Sequence, residues 1–476
     1  MDMHMKRTKI VATIGPASDS KEKLFEMIKN GMNVARINFS HGTHESNGRV
    51  FDLVRELSVE TKRPIGVIAD LQGPRMRVGN TESFLIEKDE VIFVSDHEKK
   101  TTEKELVIDS DGVASALKVG DRILIEDGLH RLEVVEKNGD IVKAKVLNGG
   151  EIKPRKNMNF PDTKLSFGAV TEKDEIDLAF VMKKEADFVA LSFVSNGKEI
   201  EETREKMKKL LGRDYDLPQI VSKVERAEAM KNIDEIIKAS DVIMVARGDL
   251  GIEMDQSMVV IYQKEIIEKC LKAGKPVIVA TQMLDSMINN PIPTRAEVSD
   301  VTNAVIDHAD AVMLSGESAN GKFPAEAIAT MNSIVKNVEA SVFDDVNPGF
   351  LDEDIFNDYA SLIDSAHEMA KSSEAKAILM FTRFGFTARL MSHHRPEQLM
   401  IAATNNLKTY NQLSIIWGIR AYLVDEKEAS REEFIKSIVE RSKKDDKLAA
   451  GDKVVLILGD MLPNKKTSLT GIYEVE

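Results

Sequence analysis

The stretches 219-QIVSKVE-225 and 241-DVIMVARGDLGIE-253 are two β-branched apolar runs that each end in charge, with a short helical pattern between them. Side chains alternate across a strand, so Lys223 and Glu225, two residues apart, share one face. Asp249 comes directly after Gly248, a position where backbone can approach a ligand closely. If the two strands are parallel neighbours, these groups converge. Two carboxylates offer the hard oxygen ligands that Mg²⁺ takes, and a lysine beside them is a compact charge for a phosphate or a developing anion. That outlines a phosphoryl-transfer or enolate site. The same residues also read as a salt-bridged sheet end with Asp249 in a turn, and the triad alone leaves both readings open.

Outward from this stretch the chain alternates short apolar runs with amphipathic helical patterns, the signature of βα units. Eight runs are present: KIVATIG (9 to 15), NVARINF (33 to 39), PIGVIADL (64 to 71), FVALSFV (188 to 194), QIVSKVE, VIMVARG (242 to 248), PVIVATQM (276 to 283) and AVMLSGE (311 to 317). Eight units predict a closed (β/α)₈ TIM barrel rather than an open sheet, because nearly every run ends in residues of a catalytic kind. These are Arg36-Ile37-Asn38, Asp70, Ser192, Lys223 with Glu225, Asp249, Thr281 and Ser315 to Glu317. Barrel enzymes gather their sites at that strand end.

Residues 73–165 differ in texture. Segments such as SFLIEK, EVIFVSD, DRILIEDG, RLEVVEK and IVKAKVL alternate apolar with polar and are separated by Gly-Asp and Asn-Gly turn signals. An inserted all-β lid domain is expected, a small β barrel over the strand ends that closes on substrate and excludes water. The acidic, Gly- and Pro-containing VFDDVNPGFLDED reads as a linker. Beyond it AKAILMFT, QLMIAAT, IRAYLVD and DKVVLILGD alternate with helices. The expected plan is a catalytic barrel from 1–72 and 166–340, the lid, and a C-terminal α/β domain of regulatory type from 341–476.

A chain of 476 residues is too long for one ordinary core. Its 79 acidic and 65 basic residues give a net charge of −14, which argues against nucleic acid or an anionic membrane as partner. The N-terminal MDMHMKRTKIV lacks an apolar signal stretch and no run is as long as a membrane span, so a cytoplasmic protein is expected. The one cysteine, Cys270, lies in a helical pattern and reads as a half-buried filler rather than a nucleophile. Trp417 reads as packing, and the pair His393 and His394, with no carboxylate-metal context, as surface chemistry.

The blocks TKIVATIGPAS (8 to 18), ARINFSHG (35 to 42), DLQGPRMRVG (70 to 79), SKVERAEA (222 to 229), ARGDLGIE (246 to 253) and ATQMLDSMINNPIPTRAEVSDVTNAVIDHADAVMLSGESA (280 to 319) resemble pyruvate kinases. The blocks come in that family's order, with the inserted β domain and the C-terminal domain where the family has them. The resemblance implies phosphoenolpyruvate and ADP as substrates, pyruvate and ATP as products, and a homotetramer. It implies Mg²⁺ on Glu225 and Asp249, and Lys223 neutralising the phosphoryl group in flight. Arg36, Ser192 and Arg77 match phosphate contacts, Arg77 toward the nucleotide, while Pro16, Asn38, His41 and Lys156 match the nucleotide side. Gly248, Asp249 and Thr281 line the substrate, with the Thr281 hydroxyl relaying a proton through water to the enolate carbon. His41 also reads as a plain loop histidine and Ser192 as a helix cap, and Glu317 as an acid at a helix start.

Two rival readings stand beside this one. A Mg²⁺-enolate barrel that makes or breaks carbon–carbon bonds needs no nucleotide, which leaves Arg36, Asn38, Arg77, Lys156 and the lid without a role. A silent regulatory paralogue predicts a damaged site, whereas Lys223, Glu225, Asp249 and Thr281 are intact. Two departures from the family's pattern carry expectations. Where many members read GPE, this chain has Gly73-Pro74-Arg75; the matching K⁺ ligands Asn38, Ser40, Asp70 and the Leu71 carbonyl are present, but the Arg75 guanidinium is expected to supply that charge and make K⁺ dispensable. In the C-terminal domain FTRFGFTAR puts Phe384 and Phe386 in place of small residues of the family's effector loop, and LPNKKTSLTG also departs from it. Little or no activation by fructose 1,6-bisphosphate is therefore expected, with Thr382, Arg383, Thr387 and Lys465 or Lys466 left for some other anionic effector.

Overall fold

The computed structural model describes residues 6–96, 101, 103–139, 141–165, 168–344, 358–424, 431–445, 447–458 and 469–476. All eight expected runs are strands: β1 (Lys9–Ile14), β2 (Val34–Asn38), β3 (Gly66–Asp70), β4 (Phe188–Leu191), β5 (Gln219–Val224), β6 (Val242–Ala246), β7 (Val277–Ala280) and β8 (Ala311–Leu314). They form one closed parallel barrel in chain order, with β1 paired to both β2 and β8.

Strand alternation explains why the site lies at one end of this barrel. Ile10, Ala35, Val67 and Ile220 pack outward against the helices, while Val11, Val34, Ile68, Val221 and Met244 belong to the other core cluster. Continuing those inward rows two residues at a time reaches Thr13 on β1, Arg36 on β2, Asp70 on β3 and Lys223 on β5. Each row begins apolar and ends polar, so the barrel is filled at its N-terminal end and functional at its C-terminal end. Helices start where the sequence supplies caps: Thr43, Thr171 and Thr294 form capping boxes with Ser46, Asp174 and Glu297.

In the lid, seven strands (Met76–Arg77, Val91–Asp96, Glu105–Ile108, Arg122–Ile125, His130–Asn138, Ile141–Asn148 and Asn157–Asn159) make one sheet. Its two edge strands meet through a Val78–Ile108 bridge. Asn80 reinforces that seam, donating to the Glu105 carbonyl at 2.9 Å and accepting from the Val107 N–H at 2.8 Å. The sheet thus curls onto itself and hides its edges, as a small barrel does. Phe84–Ile86 pairs separately with Gly150–Ile152, and a one-turn helix, Val113–Ala116, is the departure from an all-β domain.

In the C-terminal domain Ile419–Leu423, Leu399–Thr404, Ala377–Phe381 and Lys453–Leu458 are parallel neighbours, and Leu469–Glu474 adds an antiparallel edge. Of the expected linker, residues 345–354 lie outside the described residues. Cys270 is a fully buried filler, deeper than the half-buried position expected. Trp417 is buried too, with Arg7 and Arg395 over its ring at 5.4 and 4.6 Å. The expectation for His393 and His394 is corrected: His393 is buried, and His394 stacks on His367 at 5.0 Å with Asp364 Oδ1 2.9 Å from its Nε2. Burial and His367 hold His394 down at about 4, so the pair is part of the domain's packing and not surface chemistry.

Candidate active site

Lys223 is the centre of the polar cluster at the barrel's C-terminal end. Its Nζ donates to Ser192 Oγ at 2.8 Å and lies 2.9 Å from Glu225 Oε1 and 3.4 Å from Asp70 Oδ1. Burial works to discharge this ammonium, but Asp70 and Glu225 outweigh it and hold the pKa above the ordinary lysine value. A cation fixed in this way has no solvent shell to rearrange. Arg36 is fixed likewise: Nε donates to Asp70 Oδ2 at 2.6 Å and Nη1 to Thr13 Oγ1 at 2.8 Å. Ser192 donates to the Leu71 carbonyl at 2.9 Å and does not cap the following helix, which Asn196 caps.

Glu225 lies one residue past β5 and is 1% exposed. Its carboxylate accepts from the Phe193 N–H at 2.7 Å. Burial, opposed by Lys223 and reinforced by the negative charge of Asp249, pushes its pKa up to about 7. A buried carboxylate with a second, half-buried one acting on it is a site short of positive charge. Mg²⁺ uses one or two carboxylates and completes its shell with water and substrate oxygens. Glu225 and Asp249 therefore fit such an ion, although no group of three or more metal-ligating side chains occurs among the described residues.

Asp249 and Gly248 belong to a short helix, Arg247–Glu253, that follows β6 directly. The Gly248 N–H donates to Thr281 Oγ1 at 2.7 Å, and that hydroxyl donates to the Ala280 carbonyl at 2.6 Å. Thr281 has φ +71°, a strained conformation for a β-branched residue. Arg247 holds it there: the buried guanidinium donates to the Thr281 carbonyl at 2.7 Å and pairs with Asp300 at 2.7 Å.

Around the rim, Asn38 accepts from the Ser40 N–H at 3.0 Å, while Pro16 and His41 are exposed. Lys156, on the lid, pairs with Glu126, and the Arg77 N–H donates to Asp109 at 2.7 Å. Ser40 Oγ is a buried oxygen without a hydrogen-bond partner, and Asp70 Oδ1 has the Lys223 ammonium at 3.4 Å as its neighbour. Glu317 is buried in the first turn of a short helix and accepts from Leu284 and Ser315 N–H groups at 3.0 and 2.7 Å, as expected of a helix-start acid.

The pyruvate kinase barrel-domain family profile matches residues 5–328, and the pyruvate kinase alpha/beta-domain profile matches residues 360–472. The chain belongs to the pyruvate kinase family. It is similar to the pyruvate kinase of Clostridium perfringens strain 13, at 40% identity across 99% of this chain and 100% of that protein. A Staphylococcus epidermidis pyruvate kinase is 39% identical across 99% of this chain and 80% of its own length. A crystal structure of a pyruvate kinase from Cryptosporidium parvum superposes with a TM-score of 0.91 at 34% identity, covering 99% of this chain and 96% of that one. The chain is thus an enzyme of the pyruvate kinase family, with the barrel, lid and α/β domain of that fold.

Two residues of this site escape sequence reasoning. Arg247 sits inside the quoted ARGDLGIE block, but only the fold brings it to Thr281, 34 positions away. Asp174, fully buried, accepts from the Gln72 and Gly73 N–H groups at 2.9 and 3.3 Å while also capping its own helix through Thr171. It pins the strand that leaves the barrel for the lid. The pattern 171-TEKD-174 signals the capping box, not the contact to the hinge.

Proposed function

We propose that the protein transfers the phosphoryl group of phosphoenolpyruvate to ADP, giving ATP and an enolate that is protonated to pyruvate. The observation that carries this reading is the placement of Lys223, a buried ammonium kept charged by Asp70 and Glu225 and aimed across the strand ends beside Ser192 and Arg36. In phosphoryl transfer there is little covalent work for the protein; catalysis is positioning and neutralisation by charges that need not reorganise. Lys223 and Arg36 are such charges. Glu225 and Asp249 would hold Mg²⁺, which when bound supplies Lewis-acid neutralisation of phosphate and enolate oxygens. Gly248 brings backbone close to the substrate, and Thr281, its hydroxyl oriented by the Gly248 N–H, passes a proton through water toward the methylene carbon. Pro16, Asn38, His41, Arg77 and Lys156 form the nucleotide side. Phosphoenolpyruvate labelled on phosphorus tests this: the label is expected in ATP, and label appearing only as inorganic phosphate would contradict it.

Three finer features belong to the same proposal. The first is K⁺ independence, supported by Arg75 at the hinge: it is half-buried and its Nε is shielded from solvent without a partner. The test is direct. Activity in tetramethylammonium buffer at constant ionic strength is expected to match that with K⁺, and Arg75→Glu to create a K⁺ requirement. Inactivity until K⁺ is added overturns it. The second is weak or absent activation by fructose 1,6-bisphosphate, supported by Phe384 and Phe386, both exposed in the effector loop. Lys465 and Lys466 lie outside the described residues. Strong activation at low bisphosphate concentration contradicts it. The third is a cytoplasmic homotetramer, which light scattering of the purified protein checks for assembly; no described helix is long and apolar enough to cross a membrane.

A further inference from the structure

At the opposite end of the barrel from Lys223, where β5, β6 and β7 begin, a cavity of about 250 Å³ separates the barrel from the C-terminal domain. Its apolar wall is Phe384, Phe386, Leu413 and Ile416, and its polar lining includes Gln219, Asp241 and Arg389. The Arg389 guanidinium makes no salt bridge or hydrogen bond among the described residues, and its Nε is fully screened from solvent without a partner. Its guanidinium only stacks on the Phe386 ring, at 5.3 Å. The other charged groups here have direct partners. Asp241 accepts from the Ile220 N–H at 2.8 Å and pairs with Arg204 at 2.9 Å. Lys275, which contacts the adjoining space, donates to the Ser240 carbonyl at 2.5 Å. Arg389 is the charge here whose side chain makes no direct contact with a counter-charge; burial holds its pKa below the usual arginine range, offset in part by the Asp241 carboxylate.

A half-buried guanidinium that no group contacts directly, with only the Asp241 carboxylate acting on it through space, is under-solvated, and the cost is relieved when an anion pairs with it. We infer that this cavity binds a small organic monoanion, a carboxylate carried on a flat apolar body. The Arg389 fork receives the carboxylate in bidentate fashion, and the rings of Phe384 and Phe386 flank the body. One positive charge without a direct partner selects one negative charge, and the Asp241 carboxylate in the wall repels a second. The apolar lining asks for more than acetate. The cavity lies on the barrel side of the effector loop, lined by that segment's Phe384, Phe386 and Arg389 and not by its Thr382 and Arg383, and the inference does not rest on the phosphotransfer reading.

The test is titration of the full-length protein with phenylacetate, acetate, benzyl alcohol and phenyl phosphate by calorimetry and ligand-observed NMR. Phenylacetate is expected to bind saturably at one site, more tightly than each of the others. Arg389→Met is expected to weaken it about tenfold or more, the loss of a hydrogen bond to a charged group, with turnover of phosphoenolpyruvate and ADP unchanged. If that variant fails to fold, Phe384→Ala replaces it, since that ring is 56% exposed and its truncation spares the core. It is expected to weaken phenylacetate severalfold. No saturable phenylacetate binding, benzyl alcohol or phenyl phosphate binding as tightly, or a folded variant with unchanged affinity each overturns the inference.

Discussion

Replacing Lys223 by methionine keeps most of the side-chain volume and deletes one charge. Two consequences follow from its contacts. Ser192 loses its partner at 2.8 Å, and Glu225 and Asp70 lose the ammonium 2.9 and 3.4 Å away. For stability, breaking a buried ion pair typically costs about 3–5 kcal/mol. Here the cost is expected at the low end, about 3 kcal/mol, because Arg36 still pairs with Asp70 and Glu225, already near neutrality at about 7, takes up a proton. For catalysis, removing one preorganised donor from a developing charge costs about 10²–10³ in kcat. The loss of a full charge is expected to reach at least that range, and to fall on kcat more than on KM because the charge matters most in the transition state. The assay is pyruvate formation at saturating phosphoenolpyruvate, ADP and Mg²⁺, beside thermal melting to show that the variant is folded. A folded Lys223→Met enzyme with near wild-type kcat would refute the role assigned to Lys223.

Glu225→Gln and Asp249→Asn each remove one anionic oxygen while keeping shape, so the Mg²⁺ concentration for half-maximal activity should rise about tenfold or more in both; unchanged Mg²⁺ titrations would move the metal elsewhere. Gly73 has φ +67° and a Cβ there would stand 2.8 Å from Ser192 Cβ, so Gly73→Ala should destabilise by about 1–3 kcal/mol and lower activity through a displaced hinge. A fully active, equally stable Gly73→Ala would show that the hinge tolerates the shift. Glu225 also predicts a pH dependence for the metal-free protein: its folded pKa of about 7 lies above the ordinary 4.5, so the folded state binds the extra proton. That contribution to stability is full below the unfolded value and is lost as pH rises through the folded one. Melting temperatures in chelator should therefore drop less over that window in Glu225→Gln than in wild type, and equal slopes would assign the titration to another group.

Much of this was legible because a barrel turns periodicity into position. The inward rows of β2, β3 and β5 run from Val34, Ile68 and Val221 to Arg36, Asp70 and Lys223, so the alternation that names a strand also names the groups at its end. The same alternation placed Lys223 and Glu225 on one side of β5. Contacts across the barrel carry no such local signal. Arg247 reaches Thr281 from the helix that follows the preceding strand, and Asp174 reaches Gln72 and Gly73 across about a hundred residues of inserted lid. The packing of His393 and His394 is illegible for a related reason: two adjacent polar rings look solvated, and only the fold shows His393 buried and His394 stacked on His367. Arg389 gave no sequence signal, because a charge without a direct partner is visible only when its surroundings are known.

The central claim is that the Lys223, Glu225 and Asp249 cluster performs Mg²⁺-assisted phosphoryl transfer to ADP. It is tested most directly by supplying phosphoenolpyruvate and ADP, with Mg²⁺ and with chelator, and quantifying ATP and pyruvate together. Equal amounts of ATP and pyruvate, formed only with Mg²⁺, are predicted. Pyruvate without ATP, formation independent of Mg²⁺, or no turnover by folded protein would contradict it.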